Sequence, residues 1–279
     1  KQTHGPGTTT PGPSHPPEFK GAIDVVRQLL AVAREQGPDL DAAVRHHNIK
    51  IEPLPGDPAF MSGPEVERML AIGLRALTDP LPGLYAAKGH VATLFGLAGF
   101  LVQTSSTVRT LLSTLIQVEP LIGNGGITQL RQEPGEVHLL WDCLFKDPYV
   151  RYHTADFIFY AYVAGILSAS EPGPELIRAV PFCHSPPGDH ALIERYGEMF
   201  CCTVYFDQPQ NRIIIPASTM DLPLTGADPQ LHEALKVHAF KVLDERSRTN
   251  TFADHVRSRL HQLLHRGEAS RENLAAALN

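Results

Sequence analysis

A chain of 279 residues with 43% hydrophobic side chains can bury one large core or two ordinary ones, at ~100–200 residues per domain. Charged residues make up 19% and the formal net charge is −6, which excludes a basic nucleic-acid binder taken as a whole. The charge is uneven, with eight Lys or Arg against five Asp or Glu between Lys236 and Asn279. A DNA-approaching end and a solvated helical face would both show such a mildly basic tail on an acidic body.

Residues 1–18 are rich in Pro, Gly, Thr and Ser and bury too little apolar surface to fold alone, so a disordered lead-in is expected. They hold no apolar run of the secretory kind, and no segment reaches the ~18–20 apolar residues of a membrane span, which predicts a cytoplasmic protein without membrane contact. Cys143, Cys183, Cys201 and Cys202 form no C-x-x-C pair, in keeping with a reducing compartment. From Gly21 to Gln36 the spacing of Ile23, Val26, Leu29, Leu30 and Val32 predicts a helix, closed by Gly37-Pro38. A second helix is expected over 64–77, with Pro64 in its first turn and Val66, Met69, Leu70, Leu74 and Leu77 on one face. Residues 83–102, small, apolar and broken by Gly89, Gly96 and Gly99, read as short packed helices. Ser105 or Ser106 can cap a further helix through Leu112 and Ile116 that stops near Pro120.

The period then changes to two. Residues 127–133 and 137–145 flank Pro134-Gly135 and predict a β-hairpin. Pro148 opens a long apolar helix through Leu167, and Glu171-Pro-Gly-Pro174 ends it. A strand over 177–182, a helix over 189–199 and a hairpin of strands 203–206 and 212–215 follow. From Asp228 the chain is helical again, with a charged connector over 244–250. A helix carrying Phe252, Val256, Leu260, Leu263 and Leu264 follows, and then a last one capped by Ser270. The order predicts an α+β fold: a helix-rich N-terminal domain with a small antiparallel sheet, followed by an all-α segment.

Two stretches carry a family resemblance. Residues 183–235 run from His184-Ser-Pro-Pro187 through Tyr196–Phe200, Val204–Phe206 and Asn211-Arg-Ile-Ile to Asp221-Leu-Pro-Leu-Thr-Gly-Ala-Asp-Pro229. This order resembles the second half of the arabinose-binding-type sensing domain of AraC/XylS-family regulators. Residues 252–279 are similar to the opening of that family's first helix-turn-helix, with Val256, Arg257, Leu260, Leu263, Leu264, Gly267, Glu268, Ser270, Leu274, Ala275 and Leu278 at the matching places. One departure is Cys201-Cys202, which stands where a Gly/Cys-Pro-type pair is usual.

The resemblance implies a disordered lead-in over 1–18, an effector-sensing and dimerisation domain over 19–247, and the start of a helix-turn-helix domain over 251–279. Arg257, Ser270, Arg271 and Ala275 would belong to the DNA-binding scaffold. The recognition helix is expected directly after Asn279, so this chain alone is not expected to read a DNA sequence. The implied function is a non-enzymatic, ligand-responsive transcription regulator. Its expected partners are promoter DNA, a small-molecule effector and a second copy of itself. The competing expectation is a stand-alone small-molecule-binding or dimerisation module without DNA binding.

No cofactor motif is present. Gly123-Asn-Gly-Gly126 lacks the strand-before, helix-after setting and the lysine of a phosphate loop, and reads as a turn. Cys183 and His184, with Cys143 and His153, match no recognised metal spacing, so no metal is expected. Nothing marks a base, orienter or oxyanion hole for a Cys183–His184 nucleophile. Packing the helix from Pro148 onto the sheet would gather Trp141, His153, Asp156, Phe157 and Tyr160. These five are the candidate ligand-binding residues, and ordinary core packing is the competing account of each.

Overall fold

A computed structural model describes residues 20–22, 26, 30, 34, 42, 60–88, 95–123, 125–170, 176–248, 256, 260, 263 and 270–278. The chain opens on a two-stranded ribbon, β1 (Lys20–Ala22) paired antiparallel with β2 (Phe60–Ser62). The helix expected from Gly21 therefore starts later. Gly21 and Ala22 are strand, Val26, Leu30 and Arg34 are helical, and the rest of that segment lies outside the described residues. Four helices follow: α1 (Gly63–Ala76), α2 (Pro82–Ala87), α3 (Gly96–Gln103) and α4 (Val108–Ile122). Thr107, not Ser105 or Ser106, caps α4, its hydroxyl accepting from the Thr110 N–H at 3.1 Å. Ser105 instead donates back to the Leu101 carbonyl of α3. Pro120 does not stop α4, because only one carbonyl bond is lost in the final turn. The helix ends two residues later at Ile122, followed by Gly123, whose φ of 145° suits glycine.

The hairpin of β3 (Gly126–Glu133) and β4 (Glu136–Cys143) forms as its alternation predicts, with Gly135 at φ 76° in the turn. Then come α5 (Pro148–Ala169), β5 (Ala179–Pro181), α6 (His190–Phe200), β6 (Thr203–Tyr205), β7 (Arg212–Pro216) and a 3₁₀ turn (Ala217–Asp221). The sheet order is β3-β4-β7-β5-β6. The second expected hairpin is absent: β7 lies between β4 and β5, antiparallel to both, while β6 pairs parallel with β5 at the edge. Side-chain alternation explains the choice. Ile213 and Ile215 stand opposite Leu139 and Val137, so one apolar face runs across β4 and β7, whereas Thr203 and Tyr205 of β6 face solvent. The class is α+β, with one parallel pairing in an otherwise antiparallel sheet.

Helix α5 lies on that face and is buried around much of its circumference, from Val150 and Ala155 to Phe159, Val163 and Ile166. On its outer side α2 comes close enough that a Cβ at Gly83 would sit 2.1 Å from the His153 carbonyl oxygen. Gly83→Ala is therefore expected to lower stability by about 1–3 kcal/mol through overpacking against rigid backbone. A denaturant midpoint that stays put or rises, as helix propensity alone would give, would show that α2 can slide to make room.

The final long helix, α7 (Pro229–Arg248), absorbs most of the stretch expected as a connector: residues 244–248 are helical. Asp228 caps it, accepting from the Leu231 N–H at 2.9 Å. The preceding Asp221–Pro229 segment is laced to the body: the Leu224 N–H reaches the Ser106 carbonyl, Thr225 that of Ala169 and Asp228 that of Thr104. His232 then fastens α7 itself. Its Nδ1 lies 3.1 Å from the Leu101 carbonyl and its Nε2 3.4 Å from the Thr114 hydroxyl. The closing helix α8 (Arg271–Leu278) is capped by Ser270, whose hydroxyl accepts from the Asn273 N–H at 3.0 Å. Arg271 and Ala275 are exposed on it; Arg257 and most of the helix around it lie outside the described residues.

Candidate functional site

Among the described residues, three apolar clusters make up the interior. The largest joins β4, β7, α5, α6 and most of α4, through Leu139, Trp141, Phe159, Phe182, Tyr196 and Ile213 among others. A second gathers Val26 and Leu30 with α1, Phe145 and Val150. The third is small: Ala98 and Leu101 of α3, Val118 of α4 and Ala239 of α7. Where these clusters meet they leave a cavity of about 110 Å³. One water needs only ~10–15 Å³, and an engineered cavity of ~150 Å³ accepts benzene, so this space suits a small molecule.

Its walls come from distant parts of the sequence. Val66, Leu70 and Leu74 of α1 form one side, Trp141 and Phe145 another, and His153, Thr154, Phe157, Ile158 and Tyr162 of α5 a third. Glu119 and Ile122 at the end of α4, with Gly123, Gly125 and Gly126, close the base. Gly126 is required there. A Cβ on it would lie 2.1 Å from the Trp141 ring, so the indole lies directly on the backbone of the paired strand. The Gly-rich segment is thus a wall of the cavity as well as a turn.

Glu119 is the polar centre of the site. Its side chain is almost fully buried, and both carboxylate oxygens face Thr128 of β3, one taking the hydroxyl and the other the backbone N–H at 3.3 Å. The Tyr162 hydroxyl lies 3.2 Å from that of Thr128 and completes the row. Burial pushes the Glu119 carboxyl up to about 7, against a smaller downward pull from the two Thr128 bonds. Burial likewise pushes the Tyr162 phenol up. The site can therefore present a carboxyl that changes charge near neutral pH in an apolar chamber.

Of the five sequence-derived candidates, Trp141, His153 and Phe157 line the cavity and Asp156 and Tyr160 do not. At roughly 100° per residue, positions 153, 154, 157 and 158 share one side of α5 and 156 falls away from it, whereas 160 stays within about 20° of 153 but stands two turns further along the axis. Tyr160 packs edge-on against Phe200, ring centroids 5.9 Å apart. Asp156, wholly buried, holds a separate cluster: its Oδ1 lies 3.1 Å from His184 Nε2 and its Oδ2 accepts from the Tyr196 hydroxyl at 2.9 Å. His153 Nδ1 lies 3.5 Å from that same Oδ2 and makes no hydrogen bond. His184 is stacked between Tyr152 and Phe182, at 3.8 and 4.7 Å between centroids. Asn211 closes the neighbouring loop by accepting from the Cys183 N–H at 2.7 Å. His184 and Tyr196, two residues of the quoted motifs, thus meet on one carboxylate of α5.

Cys143 is half-buried and desolvation pushes its thiol up to about 11, which leaves it a poor nucleophile or ligand at neutral pH. Among the described residues, no three His, Cys, Asp or Glu side chains gather as a metal-holding group. No described helix is long and apolar enough to cross a membrane.

Residues 37–224 match the family described as the arabinose-binding domain of AraC transcription regulators, N-terminal. The chain belongs to this family. The match contains the hairpin, α5, the Asp156–His184–Tyr196 cluster and most of the cavity wall, so the site is built within the family domain. The fold is similar to a crystal structure of the transcriptional regulator CdpR from Pseudomonas aeruginosa, with a TM-score of 0.50 and 16% identity, over 85% of this chain and 81% of that one. No curated protein matches the chain in sequence.

Glu119 was not among the sequence candidates, yet a signal for it exists. Leu111, Leu115 and Glu119 fall at i, i+4 and i+8 on the buried face of α4, where periodicity calls for a third apolar residue. A carboxylate in that place marks a polar group held inside.

Proposed function

We propose that this chain is the signal-receiving part of a transcription regulator, and that a small-molecule effector occupies the cavity between α1, α5 and the β3–β4 hairpin. Residues 19–247 form the sensing and dimerisation unit in this reading, and 251–279 begin the DNA-binding domain. Promoter DNA is the partner of the whole regulator, and its chemistry is not enzymatic. A single observation carries the proposal: two cavity-wall residues also pack on the small cluster to which α7 contributes. Phe95 and Ile122 line the cavity and, like Leu235 of α7, pack against the small cluster that includes Ala239 of the same helix. An effector that moves these two side chains changes the free energy of one α7 position relative to another, which is what coupling between two sites requires.

Gly126→Ala tests this. The new methyl overlaps the Trp141 ring, forcing the indole to shift and reshaping the cavity at the hairpin surface. In cells, at matched levels of folded protein, promoters that depend on the regulator are expected to lose their response to effector. A wild-type response from a folded Gly126→Ala protein would remove the cavity from the signalling route.

A further inference from the structure

We propose that the cavity takes a small apolar molecule bearing a hydroxyl, which donates its hydrogen bond to His153 Nε2; this rests on the sensing role argued above. An unsatisfied atom points to it. Among the described residues, three buried polar side-chain atoms have no hydrogen-bond partner, and one of them, His153 Nδ1, belongs to a residue of the cavity wall. His153 is only 5% exposed. Buried polar atoms without partners are rare in folded proteins, and each calls for a reason.

The neighbours of the ring decide what it can bind. Nδ1 stands 3.5 Å from Asp156 Oδ2, just beyond a good hydrogen bond, and a movement of about 0.5 Å closes the gap. That oxygen already accepts from the Tyr196 hydroxyl, so the proton between it and the imidazole belongs to Nδ1. In the neutral ring Nε2 is then an acceptor, and the cavity-side partner must be a donor. Tyr152 stacks on the ring at 4.5 Å and Tyr149 meets it edge-on at 4.5 Å, which holds its plane and leaves a small slide free. Donation into Nε2 polarises the Nδ1–H bond toward Oδ2, so the bound ligand and the closed His153–Asp156 contact strengthen each other. The rest of the ligand meets Leu70, Leu74, Trp141, Phe157 and Ile158, which favour a hydrocarbon body. A hydroxyl donates that bond without drawing a charge out of water, as an ammonium would.

The test uses the chain as it stands, because Trp141 is its single tryptophan and lines the site. Trp141 emission and thermal midpoint are followed against phenol and 1-butanol, and against toluene and 1-chlorobutane, in which a methyl or a chlorine replaces the hydroxyl. Butylamine and L-arabinose complete the panel. Saturable shifts with both hydroxyl compounds are expected, with toluene and 1-chlorobutane binding about tenfold more weakly, the worth of one neutral hydrogen bond. His153→Phe keeps the ring and removes both nitrogens, so phenol and toluene should bind it about equally. Asp156→Asn tests the positioning of the Nδ1 proton: phenol should weaken while toluene binds as it does to the wild type. Should the variants fail to fold, the phenol-to-toluene ratio of the wild type decides alone. Toluene binding as tightly as phenol, a phenol preference that survives in His153→Phe, or tighter binding of butylamine or L-arabinose would overturn the hydroxyl assignment and leave the sensing role intact. Silence from every probe overturns it as well, and the Gly126→Ala promoter response then judges the sensing role by itself.

Discussion

Asp156→Ala is expected to destabilise the protein by about 2–5 kcal/mol, the sum for removing the shared partner of two buried hydrogen bonds. The carboxylate is wholly buried and serves two elements at once, taking His184 from the segment after β5 and Tyr196 from α6. Its loss takes the acceptor from an imidazole nitrogen and leaves the tyrosine hydroxyl only the Tyr152 hydroxyl, 3.4 Å away, in a region lined by Phe182, Phe200 and Phe206. A buried polar group that loses its partner costs ~1–3 kcal/mol. Urea unfolding gives the number directly. Asp156→Asn, which keeps an acceptor and the volume, should lose less than half as much. A loss below about 1 kcal/mol for the alanine variant would mean that the aromatic stack around His184 holds the region without the carboxylate.

The second large effect is a pH dependence with its source at Glu119. The carboxyl sits at about 7 in the folded chain against an ordinary 4.5. In the unfolded chain the proton leaves near 4.5, while the folded chain retains it until about 7, so the folded state binds more protons across that window. Stability from this group is therefore complete below about 4.5 and is lost as pH rises through 7. At ~1.4 kcal/mol per pKa unit the loss amounts to about 3 kcal/mol. Glu119→Gln removes the titration and should flatten this part of the stability curve, so the variant overtakes the wild type at neutral pH. Parallel curves for the two proteins between pH 4 and 8 would place the titrating group elsewhere.

The pattern of side chains was enough to read the hairpin from its alternation around Pro134-Gly135, α5 from Pro148 and its apolar length, and α6 from Asp189 at its start. It failed at β6 and β7. A two-strand reading of residues 203–215 uses only local alternation, whereas the partner of Ile213 and Ile215 is a strand some seventy residues earlier, visible only as a matching apolar face. The candidate site divided for a similar reason. Composition marks aromatic and polar residues on α5 without marking which way each turns, so Asp156 and Tyr160 entered the list beside His153 and Phe157. Glu119 was passed over because a lone acid in a helix reads by default as solvent-facing, and its burial follows from the hairpin strand that covers it.

The strand order also dictates when the sheet can be finished. As the chain leaves the ribosome, β4 has β3 on one side and nothing on the other until β7 emerges. Translation at ~5–20 residues per second makes that wait several seconds. During it, Val137, Leu139 and Trp141 stand on a strand with an unpaired edge, the kind that recruits other nascent chains. Helix α5 is completed within that interval and can shield the apolar face, but it cannot pair the edge. Chains stopped before Arg212 should therefore be aggregation-prone ribosomal products, and those stopped after Pro216 soluble ones.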